Sequence, residues 1–130
     1  HAAAERIVDA GGGRPRDRPT RVEEYLRELD APAERAGGLL AWALVTDRTL
    51  SQAVGFFVGN ADPASADLFR DLRSAVEDET GRIEELLEEA CEGETDRERA
   101  REAASGAIEA AYEGYVETLE SMGVKVKPVC

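Results

Sequence analysis

Asp47 and Glu79 each stand on an otherwise apolar helical stripe, and two carboxylates withdrawn from water have few options. They share a proton, pair with a base, or bind a cation. Leu40, Leu44, Asp47, Ser51, Val54 and Val58 advance in steps of three and four, as do Leu68, Leu72, Val76, Glu79, Ile83, Leu86 and Ala90. That spacing puts each set on one helix face. The neighbouring stripe of the first helix, Leu39, Ala43, Thr46, Leu50, Ala53 and Phe57, carries a hydroxyl at Thr46. Arg48 adjoins Asp47, and Arg82 lies three residues from Glu79. If two helices of similar length run antiparallel, their midpoints meet and Asp47 faces Glu79. Three readings follow: a register-fixing polar network of Asp47, Glu79, Thr46, Arg48 and Arg82, which is the preferred one; a metal site on Asp47 and Glu79; or exposure at the edge of a bundle.

Other chemistry is scarce. His1 is the only histidine, which removes Ser-His-Asp and Cys-His nucleophile arrangements. "GGGRP" lacks the Lys-Ser/Thr and the preceding strand of a phosphate loop, and no zinc spacing occurs. Cys91 and Cys130 form no C-x-x-C and are expected to be free thiols. Glu109, Glu113 and Glu117 form an acidic row that reads as a solvated face, and Tyr112 and Tyr115 read as core-edge residues.

The balance of 28 acids against 16 bases, a net charge of −12, lacks the clustered cations of a nucleic-acid surface and argues against anionic membranes. Fourteen arginines against two lysines, with abundant Ala, Gly and Glu, suggest a GC-rich genome, and the acidity suggests a halophilic cytoplasm. Residues 46–52 interrupt the one apolar run near membrane-spanning length, and nothing resembles a signal peptide, so a cytoplasmic location is expected.

The elements that must carry these residues are helical. At 130 residues the chain is read as one domain: a short helix and Gly/Pro loop over 1–19, a bundle over 20–122 and an extended tail over 123–130. Thr20 and Glu23 make a capping box for a short helix ending near Leu29. Asp30 with Pro32 opens a long helix to about Gly59, and the "NADP" of 60–63 opens another to about Cys91. Thr95 or Asp96 caps the last helix, whose stripe is Ala104, Ile108, Ala111, Tyr115, Leu119 and Met122, and Gly123 ends it. Long helices joined by short turns predict an all-α, antiparallel helical bundle with three long helices.

A helix end bearing His1, a loop closing on "RPTRVEEYLREL", a helix with "LLAWALVTDRT", the turn "ADP" and the stretch "ASADLFRDLRSAVEDETGRIEELLEEA" succeed one another from His1 to Ala90. This succession resembles the second half of ferritin-like di-iron proteins, closest to the tRNA-modifying di-iron hydroxylases, with rubrerythrins more distant. The resemblance implies a Glu ligand where this chain has Thr46, beside Asp47. It implies E-x-x-H where the chain has Val76 and Glu79, or, one turn later, Glu79 and Arg82. The ligands implied by the family are therefore degenerate, and the first half of its bundle is missing. The chain begins within what reads as the second half of a helix, so more sequence is expected upstream. The helix of 96–121 or a second copy would complete a four-helix core.

These observations lead to a metal-free binding or assembly module without cofactor, forming a homo-oligomer, with a protein partner unspecified. The competing expectation is an iron-dependent oxidoreductase whose metal is held by Asp47, Glu79 and donors from elsewhere. A third is a small regulator with a ligand cavity of several hundred Å³ walled by Trp42, Phe56 and Phe57.

Overall fold

The computed structural model describes residues 20–124. The helix expected over 1–10, the loop to residue 19, the tail beyond Val124, His1 and Cys130 lie outside the described residues. Within them the chain is all-helical: α1 (Arg21–Arg27), α2 (Pro32–Gly59), α3 (Pro63–Ala90) and α4 (Glu94–Ser121).

Local chemistry sets the boundaries. Thr20 Oγ1 accepts the Glu23 N–H at 3.3 Å and starts α1, which closes two residues before the expected Leu29. Ala31, not Asp30, is the N-cap of α2, with Pro32 in the first turn where a missing N–H costs nothing. At the other end of α2 the Asp62 N–H reaches Phe57 O at 2.9 Å and the Ala61 N–H reaches Val58 O at 3.2 Å. This is a Schellman closure with alanine, at φ 54°, in the left-handed position that glycine normally takes. Asp62 then turns to cap α3, accepting the Ser65 N–H at 3.1 Å. α4 begins earlier than Thr95 or Asp96 would make it: Gly93 is its N-cap, while Asp96 reaches back to accept the Glu92 N–H at 3.0 Å. Gly123, at φ 84°, closes α4 with a second Schellman pair, Val124 N–H to Leu119 O and Gly123 N–H to Glu120 O, both at 3.0 Å.

The three long helices have 28 residues each, about 42 Å at 1.5 Å per residue. α2 is the central one. It packs along both α3 and α4, whereas α3 and α4 do not pack along each other; α1 lies mainly on α4. Leu50, Leu72 and Ile83 are buried, each contributing about 1.5–3 kcal/mol of hydrophobic stabilisation.

α4 does not bury the face its large side chains mark. The buried positions are Ala100, Ala103, Ala107 and Ala110, while Ile108, Tyr112, Tyr115 and Met122 stay exposed. Small residues win because they allow a closer backbone approach than leucines would. Gly37 of α2 lies so near the Ala100 backbone that a Cβ there would run into it. The Tyr25 hydroxyl fills the space a Cβ would need at Gly106 and donates to Ala103 O at 3.1 Å. Val22, Ala41, Ala107 and Ala110 form the core cluster along this seam, with Tyr25, Leu26 and Trp42 packed around it. Tyr112 and Tyr115 are thus exposed rather than core-edge residues.

Candidate functional site

Asp47 is engaged by Arg73, a residue the stripe argument passed over. Arg73 Nε donates to Asp47 Oδ1 at 3.0 Å and Nη2 to Oδ2 at 3.3 Å, a two-pronged contact between α2 and α3. Asp47 is 31% and Arg73 39% exposed, so the pair is half-buried, and the described residues contain no fully buried polar or charged side chain. The guanidinium hydrogen bond holds the Asp47 carboxyl below the usual carboxylate range and raises Arg73. An aspartate so held is an anchor rather than a general base at neutral pH.

Glu79 does not join this pair. It is exposed and bonded to Arg82 on its own helix at 2.8 Å. Since Asp47 is level with Arg73, Glu79 lies six residues further along α3, a rise of about 9 Å. Thr46 Oγ1 donates to Trp42 O at 2.8 Å within α2, and Arg48 is exposed. The expected network of Asp47, Glu79, Thr46, Arg48 and Arg82 is therefore three separate arrangements and an arginine with no hydrogen bond or ion pair among the described residues. Equal counts backward and forward from the three-residue turn place Asp47 within a turn of Arg73. Matching helix midpoints overlooked that the turn fixes the register. No group of three or more His, Cys, Asp or Glu side chains suited to a metal occurs among the described residues.

The larger feature lies beside the Asp47–Arg73 pair, on the adjoining face of α2. Because α3 and α4 splay apart above it, a groove of about 940 Å³ opens between them. Its floor is the α2 face Gly37, Leu40, Ala41, Leu44, Val45, Arg48 and Thr49. Leu87 and Glu88 of α3, with Cys91 just after it, form one wall, and Arg97, Ala100, Arg101, Ala104 and Ile108 of α4 the other. Leu44 is 56% and Ile108 52% exposed, large values for aliphatic side chains facing a concave surface. This volume is at the upper end of small-ligand sites, about 300–1,000 Å³.

The aromatic wall expected of Trp42, Phe56 and Phe57 is not part of it. Trp42 packs against the α1–α4 core cluster. Phe57 stacks on Phe69 at 5.4 Å and meets Phe56 edge-on at 5.2 Å. The sequence signal for the groove is Leu40 and Leu44, which stand on an apolar stripe and line the groove instead of a closed core.

Comparison with known proteins found no family model that matches the chain, and no matching sequence among curated proteins or matching fold among solved structures.

Proposed function

We propose that this protein is a binding module: an open helical bundle that offers the groove between α3 and α4 to an apolar guest. The observation that carries the reading is the groove itself, about 940 Å³ with largely aliphatic walls and, among the described residues, no helix across it. The same volume in a closed bundle would be filled by core side chains.

An antiparallel course for α2 and α3 is supported by Phe57 stacking on Phe69 beside the turn and Asp47 meeting Arg73 further out. The approach of Gly37 to Ala100, with Leu44 and Ile108 lining one groove further on, supports α4 running alongside α2 in the same direction. A ferritin-like reading places the groove where a closed four-helix bundle has its missing neighbour of α3 and α4. The metal-free form of that reading draws support from the occupation of Asp47 by Arg73 and of Glu79 by Arg82. Homo-oligomer formation draws support from exposed Tyr112, Tyr115 and Met122 on α4.

The test of the binding reading is a fluorescence titration with the neutral probe N-phenyl-1-naphthylamine. Saturable one-to-one binding is expected, abolished by Ile108→Glu with unchanged circular dichroism. Binding that is absent, or indifferent to Ile108→Glu, would overturn the proposal.

A further inference from the structure

We infer that the groove selects a single-chain amphipathic anion, with a carboxylate or phosphate head on Arg48 and an aliphatic chain laid along Leu44, Leu40 and Ile108. This rests on the groove being a binding site, and adds the class of its ligand.

Three observations lead there. First, the shape is long. Gly37 and Thr49 bound the floor, twelve residues apart on one helix, a run of about 18 Å. An extended chain fills such a trough along its whole length. Second, no aromatic side chain among the described residues lines the groove. A planar ring system, a nucleotide base or a flavin, would find no stacking platform, whereas methylenes match Leu, Ile, Val and Ala.

Third, charge is placed at one end only in an available form. Gly37 lies against Ala100, so Arg97 and Arg101 flank that end. Both have carboxylates beside them that offset their charge: Arg97 lies 3.8 Å from Glu94, and Arg101 bonds Glu94 at 3.4 Å and Glu98 at 3.1 Å. Glu88 adds a further negative charge to the lining. Arg48, eleven residues on, about 16 Å away, has no hydrogen bond or ion pair among the described residues. The Thr49 hydroxyl donates to Val45 O at 3.1 Å, which spends its proton and leaves Arg48 as the donor for a head group. A guanidinium matches carboxylate and phosphate oxygens with two parallel N–H donors. In a chain of net charge −12, an uncommitted arginine closing an aliphatic trough distinguishes an anionic amphipath from a neutral one.

The experiment is displacement of bound N-phenyl-1-naphthylamine by dodecanoate, dodecyl phosphate, dodecanol and dodecylammonium, each below its aggregation concentration and at fixed ionic strength. The expected result is that at least one anion displaces the probe at about tenfold lower concentration than dodecanol, and the two anions tell carboxylate from phosphate. Arg48→Gln should erase that preference, read as the ratio of anion to dodecanol displacement concentrations within the same variant, and Arg48→Lys should restore part of it. Equal displacement by dodecanol and both anions, preference for dodecylammonium, or a preference that survives Arg48→Gln would overturn the inference and leave the groove a binding site. Probe binding that disappears as a second copy covers the groove at higher protein concentration would overturn it too. Failure of the probe to bind at all would remove the underlying reading as well.

Discussion

Asp47 and Arg73 fix the register between α2 and α3, with both carboxylate oxygens held by one guanidinium at 3.0 and 3.3 Å. Sliding α3 by one turn would move Arg73 about 5.4 Å along the axis and break both bonds. The pair is thus a half-exposed alignment device between two packed helices. The adjoining face of α2, with Leu40 and Leu44, is left as the floor of the groove.

The acid limb of stability follows from this pair and two others. Arg73 lowers the Asp47 carboxyl, Arg21 lowers Glu117, and the Ser65 hydrogen bonds lower Asp62. Carboxyls depressed in the folded state stabilise it above their unfolded values, about 4, and that contribution is lost as pH falls through the folded values. Thermal melts should be insensitive to pH between about 5 and 7, then decline below about 4. Asp47→Asn should lower Tm at pH 7 and shrink the acid decline. An unchanged acid limb would show that Asp47 carries none of it.

Two glycines in α2 should respond oppositely to the same change. A Cβ at Gly37 meets the Ala100 backbone, which cannot swing aside as a side chain would, so Gly37→Ala should cost about 1–3 kcal/mol in chemical denaturation. Gly55 has nothing within 4 Å of its Cβ position and lies inside the helix, so Gly55→Ala should gain about 0.5–1 kcal/mol.

Ala61 occupies the left-handed position of the Schellman closure at φ 54°. Ala61→Gly should therefore raise stability by about 1 kcal/mol, the cost of a Cβ in that region. Loss of stability would mean that the turn is held by contacts of the Ala61 methyl.

Elemental analysis separates the module from the iron-dependent alternative. Protein expressed with added iron should emerge without stoichiometric iron, manganese or zinc. Stoichiometric metal that disappears on Glu79→Ala would instead make Glu79 a ligand and displace the binding-module account.

Helix existence was legible because capping residues and prolines punctuate the chain at Thr20, Pro32 and Asp62-Pro63. Which face each helix buries was less so. On α4 the larger side chains suggested a core stripe through Ile108 and Tyr115, but close approach at Gly37 and Gly106 selects the alanine seam instead. Hydrophobicity alone ranks isoleucine above alanine, and only the distance between helix axes reverses that order. The groove was hidden for the same reason. Leu40, Leu44 and Val45 have the spacing of core residues, and nothing local to them says that α3 and α4 splay apart. Arg73 was recoverable from the turn at 60–62, because a three-residue connection fixes which residues oppose each other.

The most direct test of the groove as a binding site is methyl NMR of the chain titrated with dodecanol. Chemical-shift changes should concentrate at Leu40, Leu44, Val45, Leu87 and Ile108, sparing Leu50, Leu72 and Ile83 in the buried contacts of the bundle. Shifts absent from the groove methyls, or centred instead on Val58 and Met122, would contradict the account.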